Sequence, residues 1–287
     1  MSKFLKTLVG VGSATLASLL TTQASAAWTL NMTEGVTELS HQAYGLHMKI
    51  LLICTAIAVV VFGAMIYSIV NFRHSKGAVP DTTLLHSTRV EIVWTAIPIL
   101  ILVFMAIPAA KALIKIEDTR GSELTIKVTG YQWKWEYEYM GKNVDFFSTL
   151  ARDSNAARQL GSGVDVNTVP DYLLSVDNPL VVPVGTKVRV LLTAGDVIHA
   201  WWVPAFGMKK DAIPGFINEM WFKADQEGTY RGQCAELCGR DHGFMPVVVE
   251  VKSKADYEAW LKSKQPAAEA PAATDAAPAA APAPAAA

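Results

Sequence analysis

Two long runs without a charged residue constrain what this chain can fold into. They extend over residues 50–70 and 92–110, about 21 and about 19 positions, and a helix of this length crosses the hydrocarbon core of a bilayer. Because the intervening segment is short, the two helices are predicted to form an antiparallel hairpin, over about 50–70 and 92–114. Membrane lipid is therefore the first partner that the sequence indicates.

The N-terminus is typical of an export signal. Lys3 and Lys6 precede a weakly apolar stretch over 8–20, and residues 24–26 are small enough for a cleavage site. We therefore expect a signal peptide over 1–26, with a first membrane helix as the alternative. Lysine and arginine flank both ends of the spans and do not decide the orientation. An exported N-terminus followed by two spans places the C-terminal part outside.

Beyond about residue 117 the hydrophobic pattern changes to that of strands. Leu124, Ile126 and Val128 alternate with polar residues. An aromatic residue occupies every second position over 131–139, which at strand periodicity places five rings on one face. Further short strand patterns, separated by Gly and Pro, predict a Greek-key β-sandwich. These patterns cover 180–184, 187–193, 197–203, 219–224, 229–233 and 247–251.

The other C-terminal segments are assigned by composition. Residues 141–175 are polar and rich in Gly, Asn and Asp, and we expect a long surface loop there. A short helix is expected over 255–264. Residues 265–287 are almost entirely Ala and Pro, too poor in large apolar side chains to fold, and are predicted to be a disordered tail. The predicted domains are an N-terminal segment with the hairpin over 27–116 and a β-domain over 117–264.

Metal-binding side chains are concentrated in one short stretch. Cys234, Cys238, His242 and Met245 lie within a dozen positions, and His199 lies upstream at a strand-like run. Thiolates, imidazoles and thioethers favour copper over hard cations. A mononuclear blue-copper site uses one cysteine, so the second thiolate either is spare or bridges two metal ions.

Several other uses of these residues are possible. The two cysteines would form a disulfide or a redox dithiol in an exported protein, but neither accounts for His242 and Met245. A zinc site accepts cysteine and histidine but has no use for a thioether, and a methionine alone is more often a core residue. Only three cysteines occur and the net charge is −1, which argues against a disulfide-rich scaffold and against binding of nucleic acid.

The complete pattern resembles the binuclear copper loop of cytochrome c oxidase subunit II. The residues that carry the resemblance are Asp196, His199, Cys234, Glu236, Cys238, His242 and Met245. The likeness extends over about 27–264 and weakens over 143–168. It implies a membrane-anchored α+β fold, in which a two-helix transmembrane hairpin is followed by a cupredoxin-like Greek-key β-sandwich.

The resemblance also implies a role for each matching residue. Cys234 and Cys238 would bridge two copper ions, with His199 and His242 as terminal ligands. The weak ligands would be Met245 and the backbone carbonyl of Glu236. The Glu236 side chain would bind a magnesium ion shared with subunit I, since a carboxylate suits that hard cation.

Four further residues are assigned by the same resemblance. Trp133 would receive the electron from cytochrome c, and Glu91 would lie near the entrance of a proton path. Glu138 and Asp196 would belong to an acidic patch that docks cytochrome c. Plainer interpretations remain: Glu91 is also suited to a helix N-terminus, and Asp196 to a turn. Lys134 departs from the family, where an aromatic residue is usual.

The implied function is that of the subunit that accepts electrons in a cytochrome c oxidase. Electrons would pass from cytochrome c to the copper pair and then to haem in subunit I, where oxygen is reduced to water and protons are pumped. Subunit III would be a further partner. The chain would cross the bacterial inner membrane twice, with the copper domain on the periplasmic side.

Three rival functions fit the sequence less well. A quinol oxidase subunit lacks the copper ligands, and the copper domain of nitrous oxide reductase lacks the two membrane spans. A membrane-tethered copper chaperone usually presents few, exposed ligands, whereas this set is closed. Optical spectra distinguish them, because a mixed-valence copper pair has intense visible and near-infrared bands.

Overall fold

The computed structural model describes residues 31–79, 82–83 and 86–265. The predicted signal peptide and all but the first residue of the predicted tail lie outside the described residues. Within the described part, two long helices precede two five-stranded β-sheets. This is the predicted architecture of a helical hairpin followed by a β-sandwich.

The helices are α1, Glu38–Asn71, and α2, Thr88–Ile116. Both are long and apolar enough to cross a membrane. Helix α1 begins at Glu38, about a dozen residues before the predicted start. The apolar pattern did not reveal these residues because the first turns of the helix are polar. The 34 residues of α1 correspond to about 51 Å, compared with a hydrocarbon core of about 30 Å. Helix α1 is therefore longer than a span of the hydrocarbon core requires.

The start of α1 is fixed to the β-domain. Thr37 and Ser40 form a reciprocal capping box at the start of the helix. The Thr37 hydroxyl also donates to the carbonyl of Phe206 (2.8 Å), and the Val36 amide donates to the carbonyl of Ala205 (2.9 Å). Thr37 is fully buried. The polar first turns are thus stabilised by tertiary contacts that an apolar pattern does not reveal.

The sandwich consists of two sheets with strand orders β3-β2-β1-β5-β8 and β4-β10-β9-β6-β7. Two pairs, β1–β5 and β4–β10, are parallel, and the other neighbours are antiparallel. In chain order, the strands β1 to β10 are Leu124–Tyr131, Lys134–Tyr139, Val144–Ser148, Leu180–Pro183, Val188–Ala194, His199–Val203, Met208–Ala212, Asn218–Phe222, Gly228–Cys234 and Pro246–Lys252. Two short helices are α3, Arg152–Ala157, and α4, Lys254–Lys264.

The core lies between the sheets, and the residues that face it alternate along β2 and β5 and along most of β1. The prediction of five aromatic rings on one face is only partly correct. Trp135, Tyr137 and Tyr139 are buried on β2. Tyr131 ends β1, and Trp133 lies in the turn before β2, because the chain reverses direction there and the two strands pair.

The predicted loop over 141–175 is wrong in part. It contains strand β3 and helix α3. Strand β3 is an edge strand in which Phe146 contacts Tyr137 and Trp260, with ring centres 5.8 and 6.2 Å apart. The edge strand β7 was also not predicted, since only its first and last residues are buried. Edge strands have weak alternation because solvent reaches much of their surface.

Candidate metal centre

The candidate ligands come together at one end of the second sheet. His199 begins β6, and Cys234 ends the neighbouring strand β9, where it pairs with Trp201. The ligand loop, residues 235–245, connects β9 to β10. Its base is closed by the Cys234 amide, which donates to the carbonyl of Met245 (3.2 Å). Neighbouring strands therefore place the loop beside His199.

The two thiols lie side by side in the interior. Their Sγ atoms are 3.8 Å apart, whereas a disulfide bond is about 2.05 Å long, and both cysteines are free. Only 6% of Cys234 and 3% of Cys238 is exposed. The sequence prediction that these two sulfurs share one site is consistent with this geometry.

Each sulfur has its own set of neighbouring donor atoms. The Cys234 Sγ lies 4.0 Å from His199 Nδ1 and 3.3 Å from the carbonyl oxygen of Glu236. The Cys238 Sγ lies 3.5 Å from His242 Nδ1 and 3.5 Å from Met245 Sδ. Two thiols, two imidazoles, one thioether and one carbonyl thus converge. The nitrogen of His199 and both sulfurs lie within 4.8 Å of one another.

The donor set fits a soft metal ion. Thiolate and thioether sulfur favour copper, while Mg²⁺ and Ca²⁺ prefer oxygen ligands. The buried thioether of Met245, with 2% of the residue exposed, has no function in a typical zinc site. The donor set of these residues therefore fits copper.

The orientation of His199 is fixed by a neighbouring carboxylate. Asp196 Oδ1 lies 2.9 Å from His199 Nε2, and since an ionised carboxylate only accepts hydrogen bonds, Nε2 carries the proton. In the neutral imidazole, Nδ1 then has its lone pair toward Cys234, whereas in the protonated imidazole Nδ1–H donates to the Cys234 sulfur. Asp196 also accepts from the amides of Gln132 (2.7 Å) and Val197 (2.6 Å). The sequence interpretation of Asp196 as a docking or turn residue did not include this contact.

A close approach by the backbone makes room for the imidazole. A Cβ atom at Gly130 on β1 would lie 2.8 Å from Cδ2 of His199. The ring also packs edge-on against Trp135, with ring centres 5.9 Å apart. His199 is consequently enclosed on several sides and is fully buried.

The metal-free thiols ionise one before the other. Burial raises the pKa of Cys234, but hydrogen bonds with His199 and with backbone groups outweigh burial and lower this pKa to about 7. Burial and the neighbouring Cys234 thiolate raise the pKa of Cys238 to about 12. Burial lowers the pKa of His199, while Cys234 and Asp196 raise it, and the net shift is upward. A metal cation would relieve the repulsion between two adjacent thiolates.

Trp133 lies against the ligand loop. Its Nε1–H donates to the carbonyl of Cys238 (3.2 Å), and the Gln132 side chain donates to the same oxygen (2.9 Å). The guanidinium of Arg240 lies 5.7 Å from the centre of the Trp133 ring. The structure therefore brings Trp133 to the site, together with Gln132, which the sequence reasoning missed.

The other predicted site residues lie elsewhere. Glu138 is on β2 and pairs with Lys127 (3.1 Å). Glu91 is in the first turn of α2, where its Oε1 accepts from the amide of Ser87 (3.2 Å), a geometry that fits the helix N-terminus interpretation. The Glu236 side chain is exposed on the ligand loop.

Comparison with known proteins gives two family matches. The family model described as "Cytochrome C oxidase subunit II, periplasmic domain" matches residues 124–252. The model described as "Cytochrome C oxidase subunit II, transmembrane domain" matches residues 25–112. Together the two matches include all ten strands, the whole of α1 and all but the last four residues of α2.

Individual relatives agree with the family matches. A probable cytochrome c oxidase subunit 2 of Rickettsia prowazekii (strain Madrid E) is 41% identical over 239 residues, which are 83% of this chain and 73% of that protein. Cytochrome c oxidase subunit 2 of Cereibacter sphaeroides is 37% identical over 229 residues, 77% of this chain and 75% of that one.

Among solved structures, the periplasmic domain of subunit II of cytochrome oxidase (CoxB) of Bradyrhizobium japonicum has 43% sequence identity and a TM-score of 0.45. It covers 51% of this chain and 96% of its own. With family matches to both parts of the chain and a relative of 41% identity, this chain belongs to the cytochrome c oxidase subunit II family, whose members are components of an oxidase complex.

Proposed function

We propose that this chain holds a pair of copper ions through which its oxidase receives electrons from cytochrome c. The observation that carries the proposal is the paired arrangement of donors: two buried sulfurs 3.8 Å apart, each with its own imidazole. A single four-coordinate ion would leave two of the six converging donors unused. When bound, the copper pair would supply one-electron redox chemistry, with the charge spread over two metals and two sulfurs.

The proposed ligands divide into bridging, terminal and weak groups. Cys234 and Cys238 would bridge the copper pair, and His199 and His242 would be terminal ligands. The Met245 thioether and the Glu236 carbonyl are the weak ligands. This assignment uses all the converging donor atoms.

The scaffold limits ligand motion. His199 and Cys234 belong to neighbouring strands, and the ligand loop is closed by backbone hydrogen bonds at its base. His199 is held by Asp196 through Nε2. A centre that changes oxidation state with little movement of its ligands has a small reorganisation energy, which favours rapid electron transfer.

Trp133 is proposed as the residue through which electrons arrive. It is partly exposed, so a partner can approach it, and its indole N–H is bonded to the carbonyl of the bridging residue Cys238. This hydrogen bond supplies a short connection between the surface and the proposed centre. Glu138 and Asp196 remain candidates for docking cytochrome c.

The remaining functions belong to the complex. Electrons would continue to haem in subunit I, where oxygen is reduced and protons are pumped, with subunit III as a further neighbour. The exposed Glu236 carboxylate would bind magnesium at the contact with subunit I, and Glu91 would lie near a proton path. The chain would cross the bacterial inner membrane twice after removal of residues 1–26, with the β-domain in the periplasm and the tail beyond it.

The proposal is tested by substituting one bridging residue. In the full chain, Cys238→Ser is expected to remove the mixed-valence electron paramagnetic resonance signal, because an alkoxide or hydroxyl does not replace a bridging thiolate. Copper content should fall from two ions to at most one, and oxidation of cytochrome c by the assembled oxidase should cease. Cys54→Ser, which changes the exposed thiol of α1, is the matched control. Two copper ions with an unchanged signal in Cys238→Ser would contradict the ligand assignment.

A further inference from the structure

The segment between β3 and β4 forms a closed excursion, residues 149–177. Its base is fixed by Asp177, which accepts from the amide (2.7 Å) and the hydroxyl (2.9 Å) of Thr149. The Ala151 amide donates to the carbonyl of Ser175 (2.9 Å). The excursion therefore has a defined start and end. None of the proposed copper ligands lies in it, so the copper proposal does not explain its role.

Arg158, which directly follows α3 in this excursion, reaches the ligand loop. Its two terminal nitrogens lie 3.4 Å from the two carboxylate oxygens of Asp241, in a two-point arrangement. The same guanidinium stacks over Phe244, 4.2 Å from the ring centre. Its Nε–H donates to Asn155 on α3 (2.8 Å). The Arg158 side chain thus contacts the ligand loop at two residues and is also hydrogen-bonded to Asn155 on α3.

The two residues that Arg158 contacts lie on either side of the proposed ligand His242 in the sequence. Asp241 and Phe244 are the two ends of a single helical turn that contains His242, and the Phe244 amide donates to the carbonyl of Asp241 (2.9 Å). Met245 follows directly. Because the guanidinium holds both ends of this turn, it restricts the backbone that carries the His242 ring.

The charge of Asp241 is balanced mainly by Arg158. Their side chains are only 21% and 14% exposed, whereas Arg240, 3.5 Å from the same carboxylate, is 82% exposed. An exposed partner is weakened by solvent and salt. Without Arg158, a carboxylate next to His242 would therefore lack its principal counter-charge.

A second arginine fixes the far side of the excursion. Arg231 on β9, three positions before Cys234, donates to the carbonyl of Leu174 (2.6 Å) and pairs with Asp171 (2.6 Å). The excursion is thus attached to the strand that carries Cys234 and to the loop that carries Cys238, His242 and Met245.

We propose that Arg158 is a positioning residue for the copper centre. It joins the 149–177 excursion to the ligand loop, keeps His242 and Met245 in place when the centre changes oxidation state, and neutralises Asp241. The inference rests on the proposed copper site. Arg158 lies 83 positions before Asp241 and does not itself bind the metal.

The test compares four variants of the full chain in detergent. Arg158→Met keeps an apolar stem but removes the charge and the fork, and Arg158→Lys keeps the charge without the two-point, planar contact. Arg158→Met combined with Asp241→Asn removes both charges. The matched control is Arg152→Met on α3, whose side chain is exposed. Three properties are measured: amide hydrogen exchange of residues 239–245 without metal, copper release to a chelator, and the midpoint potential.

We expect faster exchange of the loop in all three Arg158 variants and release of copper about tenfold faster than in the control, the usual scale for loss of an outer-shell partner. The midpoint potential should fall in Arg158→Met, because an uncompensated carboxylate favours the oxidised centre. It should return toward that of the control in the double variant and stay close to it in Arg158→Lys.

Exchange, release and potential in Arg158→Met equal to those of Arg152→Met would overturn the proposal. A lower unfolding temperature with release and potential unchanged would also overturn it, since Arg158 would then only stabilise the fold. Failure of the copper proposal is recognised separately, because the unsubstituted chain would then bind no copper pair. The exchange measurement on the metal-free chain would still decide whether Arg158 restrains the loop.

Discussion

At the scale of single residues, the properties of His199 are determined by its neighbours. The carboxylate of Asp196 holds the Nε2 proton, Gly130 leaves space for the ring, and Trp135 packs against its edge. A metal-bound histidine commonly has such a partner, which fixes the tautomer and the ring orientation. Asp196 therefore has two candidate roles, one toward His199 and one toward cytochrome c, and they predict different kinetics.

Substitution of Asp196 separates the two roles. Asp196→Asn should weaken copper binding by about tenfold. A neutral amide is a weaker acceptor for Nε2–H than a carboxylate, and it can turn its NH2 group toward the ring instead. The measurement is a competitive chelator titration, together with kcat and KM for cytochrome c in the assembled oxidase. Glu138→Gln is the control, since Glu138 is bonded to Lys127 on the first sheet, and its copper affinity should not change. A raised KM with unchanged copper affinity in Asp196→Asn would instead favour docking as its role.

At the scale of elements, Thr37 connects the start of α1 to the sandwich. Its side chain accepts from the Ser40 amide (3.0 Å) and donates to the carbonyl of Phe206. Thr37→Ala removes both contacts from a fully buried position. The free energy of unfolding is expected to fall by about 1–2 kcal/mol, as for other lost caps.

Thermal unfolding of the full chain in detergent measures the effect of Thr37→Ala. Thr55→Ala is the matched control, because the Thr55 hydroxyl only bonds the carbonyl of Leu51 within its own helix (2.7 Å). The copper content of both variants should equal that of the unsubstituted chain. Equal unfolding temperatures for the two variants would show that the cap contributes nothing to stability.

The elements also show what the sequence could and could not predict. Apolar length predicted both helices and alternation predicted most strands, because these signals are local. The ligand motif predicted the six converging donors, two thiols and four others, since five of the six lie within residues 234–245. In contrast, the start of α1 depends on contacts with residues 205 and 206, and Arg158 meets Asp241 from a distant part of the chain. Neither contact has a local signature.

At the scale of the whole molecule, one strand links the candidate site to the hairpin. Strand β6 begins at His199 and ends at Val203, about 13 Å away at the usual rise per residue. The turn that follows, residues 204–206, receives the hydrogen bonds from the start of α1. The end of α2 is held as well, since the Trp221 indole donates to the carbonyl of Lys115 (3.1 Å). The candidate site and the ends of both helices are thus joined through the same β-sandwich.

The position of Trp133 at the outer face of this assembly gives the last prediction. Trp133→Phe keeps an aromatic ring but removes the N–H that donates to the Cys238 carbonyl, and it makes the ring harder to oxidise. Electron transfer from cytochrome c, followed by stopped-flow absorbance in the assembled oxidase, should slow by at least tenfold, while copper content and the resonance signal stay normal. Trp260→Phe on α4, which packs against Tyr139, is the matched control and should transfer electrons at the original rate. Normal transfer in Trp133→Phe would exclude the indole from the path and leave the exposed loop residues beside it, such as Arg240, as the surface that cytochrome c must reach.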